Sequence, residues 1–252
     1  MTIFEILKFN RELLNRLRKS GIRLEDADYI DLFVDFNKMA TNKYHQILKR
    51  ILEKGREQSN RKGNIKYLLN EQLTLTPADL LDIFEGHGIA RKKLRSELKL
   101  FMSGERSVEK YREAGINWWD YCGSILVNSY PTYFEKLPPL IRRINTEKRN
   151  SKNYVLFLGA TEVESNQAPC LSLVQFQIED GSLVLTAYQR SSDANLGLPA
   201  DIYHLYLMAR HIDLPLKSIT LFLGNVHIYE NNIENTNRLL SGEDAVKFEL
   251  NV

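Results

Sequence analysis

Cys170 stands in the run Ala-Pro-Cys-Leu, and about twenty residues further on the chain reads Tyr188-Gln189-Arg190-Ser191-Ser192-Asp193. A cysteine attacks carbon only as its thiolate, and a free thiol is mostly protonated at neutral pH. A nearby guanidinium such as that of Arg190 would therefore raise the reactive fraction. Arg190 also carries a planar fork of N–H donors, and with the hydroxyls of Ser191 and Ser192 it suits a phosphate dianion. A third segment, Leu223-Gly224-Asn225-Val226-His227-Ile228-Tyr229, adds an imidazole and a phenol. Two residues apart on an expected strand, His227 and Tyr229 point the same way and could hold a sugar hydroxyl. Thiol, donor cluster and hydroxyl-binding pair together point to a site that handles a nucleotide.

Each piece has an ordinary alternative. A free cysteine is commonly a small buried hydrophobe. Arg190 and Asp193 could simply pair beside a strand end, and a histidine in such a place is more often a structural hydrogen-bonder. The order of the three segments along the chain weighs against those readings.

The elements that must carry these residues follow from periodicity. Apolar residues recur at helical spacing over 3–19, 25–39 and 42–57, the last with Tyr44, Ile47, Leu48, Ile51 and Leu52 on one face. Residues 55–63 read as a polar, flexible run, and 65–75 as a weak strand that Asn70-Glu71 could interrupt with a turn. Thr76-Pro77-Ala78-Asp79 has the form of a helix start, with Thr76 as cap and proline where its missing N–H matters least. A further helix is expected over 89–103. Residues 154–158, 170–178, 182–189 and 218–229 read as strands, the middle two joined by the Glu179-Asp180-Gly181 turn, and 199–211 as a helix. Helices come first and strands later, so the pattern is α+β.

At 252 residues with 43% hydrophobic and 26% charged side chains, the chain can bury one substantial core and is not a disordered polymer. The 34 basic and 32 acidic residues nearly balance, which argues against a long nucleic-acid track. Two cysteines make no disulfide framework, and no Cys/His spacing matches a zinc site, so a reducing cytoplasm is the expected setting. The N-terminus lacks the form of a signal peptide, and no apolar run is long enough to span a membrane.

Taken together, Ala-Pro-Cys, Tyr-Gln-Arg-Ser-x-Asp followed by Leu-Gly-Leu-Pro, and Leu-Gly-x-x-His-Ile-Tyr-x-Asn resemble the thymidylate synthase and deoxycytidylate hydroxymethylase family in order and nearly in spacing. The resemblance extends over about residues 42–235. It implies an α+β fold with a mixed sheet and surrounding helices, occupying 42–252, with residues 1–41 as an added helical segment. It also implies a homodimer, a pyrimidine nucleoside monophosphate as substrate, and 5,10-methylenetetrahydrofolate as cosubstrate. Cys170 would be the nucleophile that adds to carbon 6 of the ring and makes carbon 5 reactive. Arg61, in a segment similar to the family's Arg-x-Gly loop, joins Arg190, Ser191 and Ser192 at the phosphate. Glu97, in Glu-Leu-Lys-Leu-Phe-Met-Ser-Gly, matches the family's catalytic glutamate. Trp119 and Asp193 would lie by the pterin, Asp193 also by the ring, and His227 and Tyr229 by the sugar.

Departures from the family pattern bear on the product. Thymidylate synthases usually place asparagine where this chain has Asp201, histidine where it has Leu171, and two arginines where it has Lys152-Asn153, with Arg149 near. The chain also stops soon after the His-Ile-Tyr segment, so closure over the folate is expected to be weaker. A carboxylate accepts from the amine of cytosine but cannot donate to the carbonyl of uracil, so Asp201 points to a cytidylate. Its alternative is helix capping, because Asp201 is expected in a first helical turn. The reading that results is cytidylate 5-hydroxymethylation. Its rivals are thymidylate synthesis from dUMP and a degenerate member that binds a nucleotide or protein partner without turnover.

Overall fold

A computed structural model of the chain describes residues 42–159, 168–243 and 246–250, and the helices expected over 3–19 and 25–39 lie outside them. The described chain opens with α1 (Lys43–Lys54), β1 (Arg56–Asn60), β2 (Gly63–Leu75), α2 (Pro77–Gly86), α3 (Arg91–Met102) and α4 (Val108–Glu113). It continues through α5 (Tyr130–Phe134), α6 (Leu137–Glu147), β3 (Val155–Phe157), β4 (Leu171–Glu179), β5 (Ser182–Gln189) and β6 (Ser192–Asp193), and ends with α7 (Gly197–Ala209), β7 (Leu216–Tyr229) and α8 (Ile233–Leu240).

The strands form one mixed sheet in the order β1-β2-β7-β5-β4-β3, with β6 alongside β7. All neighbours are antiparallel except β5 and β6, which run parallel to β7. The β4–β5 hairpin turns through Asp180 and Gly181, both at positive φ, as the tight two-residue turn requires. Leu73, Leu75, Val174, Phe176, Leu185, Ala187, Ile219 and Leu221 are buried on the sheet, and α7, apolar on most of its surface, is buried with them. Elsewhere on the sheet Thr74 and Thr220 bond across strands at 3.1 Å, and Tyr188 and Phe222, paired in register, stay 43% and 42% exposed. No helix among the described residues is long and apolar enough to cross a membrane.

Two local expectations change. The polar run 55–63 is β1 and its turn: Arg56 pairs with Tyr67 and Asn60 with Gly63, and every β1 side chain is exposed. An edge strand is held by backbone pairing and needs no apolar alternation, so its sequence carries no strand pattern. The turn considered at Asn70-Glu71 is instead a kink inside β2, where Asn70 takes a φ of +56° while pairing continues on both sides. The expected start of α2 holds: Thr76 Oγ1 accepts from the Asp79 N–H, and Asp79 Oδ2 accepts from the Thr76 N–H at 2.7 Å.

At Gly224 β7 passes close to the end of β5 and to the residue that follows it. A Cβ there would lie 2.7 Å from Tyr188 Oη and 3.1 Å from the Arg190 carbonyl. Gly224→Ala is expected to lower the unfolding free energy by about 1–3 kcal/mol, measured by denaturant titration, through overpacking.

Candidate functional site

The ends of β4 and β5 bring the thiol and the guanidinium together. Cys170 precedes β4 and Arg190 follows β5, and the Arg190 N–H donates to the Cys170 carbonyl at 2.9 Å, extending the ladder past both strands. The Arg190 side chain donates from Nε to the Pro169 carbonyl at 3.1 Å and from Nη2 to the Ala168 carbonyl at 2.8 Å, which pins the approach to Cys170. Two of its five N–H groups are used in this way. Burial pushes the Cys170 thiol above its usual value; Arg190 and Lys62 oppose that and Asp201 adds to it. Arg190 thus favours the thiolate as expected, but desolvation of the anion outweighs the guanidinium's attraction.

Tyr130 of α5 lies against the same segment, its hydroxyl accepting from the Leu171 N–H at 3.2 Å. Burial holds this phenol well above its ordinary range, with Asp201 and Cys170 adding to the effect.

Asp201 lies deeper in its helix than expected. Gly197 opens α7, two residues before the expected start at Pro199, so Asp201 sits in the second turn, away from the free N–H groups. The capping alternative fails for that reason. Instead its Oδ2 accepts a hydrogen bond from Gln189 Nε2. Gln189 is wholly buried, and its Oε1 has no protein partner among the described residues. Burial pushes the Asp201 carboxyl up to about 7, against the pull of the Gln189 amide.

Glu97 is 3% exposed, on the α3 face that also buries Leu94, Leu98 and Phe101. Its Oε1 accepts from the indole N–H of both Trp118 and Trp119 at 2.6 Å. Its Oε2 lies 3.3 Å from His204 Nε2. Burial drives its carboxyl up to about 7; the two indoles oppose this and the Asp201 charge adds to it.

The other expected residues converge on the same region. β6 runs beside β7 with Ser192 opposite Val226 and Asp193 opposite His227. Asp193 Oδ1 accepts from the Asn195 N–H at 2.9 Å, and burial raises its carboxyl to about 6. Arg190 and Asp193 are thus held by different partners. Ser191 is half-buried, whereas Ser192 is buried, its Oγ without a protein partner among the described residues. His227 and Tyr229 do share a face, their rings edge to face at 5.1 Å. Asn225 Oδ1 sits 3.0 Å from His227 Nδ1, and burial lowers that imidazole to about 4, so it is neutral at neutral pH. Arg61 is exposed at the β1–β2 turn, near enough for its charge to lower both Tyr121 and Tyr229. Arg149 pairs locally with Glu147 at 3.1 Å, and the Lys152 carbonyl accepts from Gln175 at 3.2 Å.

Five neighbours of these groups were not anticipated as site residues: Lys62, Trp118, Tyr130, Gln189 and His204. The adjacency of Trp118 to Trp119 and the one-turn spacing of His204 from Asp201 are the signals that could have found two of them.

Glu97 affects stability in a definite direction. Its folded value lies above the ordinary 4.5, so the native state holds a proton that the unfolded chain releases. That contribution is present at low pH and is lost as pH rises from about 4.5 through about 7. Buried histidines held near 4 act oppositely below their ordinary value, so the difference between variants isolates the carboxyl. Relative to wild type, Glu97→Gln should gain on the order of 3 kcal/mol in unfolding free energy between pH 5 and pH 8.

A family model described as thymidylate synthase matches residues 42–252, all but the first 41 positions of the chain. The match spans every element described above, and the family comprises folate-dependent transferases of one-carbon units to carbon 5 of pyrimidine nucleotides. The chain belongs to the thymidylate synthase family.

Proposed function

We propose that this protein adds a hydroxymethyl group to carbon 5 of a cytidine monophosphate, with 5,10-methylenetetrahydrofolate as the one-carbon donor. The observation that carries this reading is the side chain of Asp201, enclosed beside Cys170 and Glu97 and held through Oδ2 by the Gln189 amide. With Oδ2 committed to accepting, a proton on the neutral carboxyl belongs on Oδ1. Such a group accepts from the exocyclic amine of cytosine and shares its proton with the ring nitrogen, whereas the ionised form meets the uracil carbonyl as acceptor against acceptor.

The other roles follow from chemistry and position. Arg61, Arg190, Ser191 and Ser192 hold the phosphate, and His227 and Tyr229 hold a sugar hydroxyl. Cys170 Sγ bonds to ring carbon 6, which lets carbon 5 form its new carbon–carbon bond. Glu97 takes and returns protons at the base. Loss of the carbon 5 proton breaks the bond from the new carbon to the folate nitrogen, so tetrahydrofolate leaves as the amine; the exocyclic methylene that results adds water, and the sulfur then departs from carbon 6 as thiolate. Because burial keeps the thiol protonated, its proton must pass to a base as the bond forms.

The folate supplies the one-carbon unit. Its flat pterin suits the half-buried Trp119 ring, whose N–H is fixed on Glu97, and its amide and amino donors suit the Asp193 carboxyl. Leu171, where thymidylate synthases usually have histidine, favours hydration over hydride transfer. The protein works as a homodimer, a reading supported by the exposed Tyr188 and Phe222, and in the cytoplasm, where Cys122 and Cys170, neither in a disulfide, stay reduced.

Calorimetric titration with dCMP and dUMP tests the base reading. Wild type should bind dCMP at least tenfold more tightly, Asp201→Asn should reverse that order, and Cys170→Ser should bind dCMP normally without turnover. Tighter dUMP binding by wild type would favour thymidylate synthesis. Turnover unaffected by Cys170→Ser would exclude the covalent route.

A further inference from the structure

His204 belongs to the site through a contact that none of the roles above uses. It lies one turn after Asp201 on α7, 7% exposed, and its Nε2 sits 3.1 Å from the Leu94 carbonyl and 3.3 Å from Glu97 Oε2. A carbonyl only accepts, so the bond to Leu94 requires the proton on Nε2. That N–H then points between the carbonyl and the carboxyl, and the ring packs edge to face on Phe101 with centroids 5.9 Å apart. Opposite it, both indoles donate to Glu97 Oε1. Glu97 therefore meets N–H donors at both of its oxygens, two on one side and one shared donor on the other.

We propose that His204 is a positioning residue, which stays neutral with its proton on Nε2, steadies the ionised form of Glu97, and leaves Oε2 as the oxygen that takes and releases the proton. The assignment follows from occupancy: two N–H groups converge on Oε1 at 2.6 Å, while Oε2 has one longer, shared contact. The titratable groups facing Glu97 are His204 and Asp201 from α7 and Tyr111 from α4. Burial keeps the His204 imidazole near 4, so it donates across the neutral range without carrying charge. Only the consequence for catalysis rests on the hydroxymethylation reading; the protonation of Glu97 does not.

The chain's two tryptophans are the two donors to Oε1, so intrinsic fluorescence reports the charge on Glu97 without substrate. Between about pH 5 and about pH 9 wild-type emission should change in a step centred near 7. Glu97→Gln should abolish the step, and Asp201→Asn should preserve the step but lower its midpoint. His204→Leu, which removes the donor, should move the midpoint up by about one pH unit, and His204→Gln, which restores an N–H, should return it. An unmoved midpoint in folded His204→Leu, a step that survives Glu97→Gln, or one that vanishes in Asp201→Asn would overturn the proposal. Should His204→Leu not fold, nitrogen-15 spectra of histidine-labelled wild type decide: the proton on Nε2, with a shift that follows the same midpoint, supports it, and a proton on Nδ1 or an unresponsive signal contradicts it. If these results hold while dCMP is not turned over, the hydroxymethylation reading alone fails.

Discussion

Two carboxyl groups, Glu97 and Asp201, occupy one poorly solvated region, and the cost of ionising either there shapes its surroundings. Each is raised to about 7 chiefly by burial, and the Asp201 charge adds to the effect on Glu97. An unpaired charge in such a place is strongly disfavoured, so nearby polar side chains must offer N–H donors. Trp118, Trp119 and His204 meet Glu97, and Gln189 meets Asp201. The outcome is two acids poised near neutral pH, the range in which a proton carrier exchanges most readily.

The sheet makes that cluster rigid. Gln189 is the last residue of β5, flanked by Leu171 of β4 and Leu223 of β7, so the amide that orients Asp201 is fixed by strands on both sides. One residue further on, the Arg190 backbone bonds to Cys170 and its side chain pins Ala168 and Pro169. A single strand end thus positions the thiol, the guanidinium and the Asp201 carboxyl. Helix α7 adds a second line of control, because Asp201 and His204 project from successive turns toward α3 and its Glu97.

Much of this was legible where one residue type has one physical meaning. The 3.6-residue apolar period marked α1, the Thr76–Pro77 start marked α2, and the Asp180-Gly181 turn fixed the register of β4 and β5. Motif order identified the family and brought Cys170, Arg190, Asp193, His227 and Tyr229 into one region. β1 escaped because an exposed edge strand leaves no apolar alternation; α4, α5 and α8 were missed because one or two turns give too few repeats to register a period, and α6 because it opens on Pro138-Pro139, which reads as a break as readily as a first turn. Composition could not reveal the net effect on Cys170 either. A nearby arginine is visible in sequence, but the burial that outweighs it arises only when distant segments pack. Trp118 and His204 likewise gain meaning only once α3 and α7 are side by side.

We propose that a buried aspartate, Asp201, selects cytosine and that the new carbon is hydrated. Mass spectrometry of the products formed when wild-type protein is given equal dCMP and dUMP in one vessel with methylenetetrahydrofolate tests both parts most directly. Accumulation of 5-hydroxymethyl-dCMP with dUMP left unconsumed is the predicted result. Formation of thymidylate with dCMP untouched would contradict it.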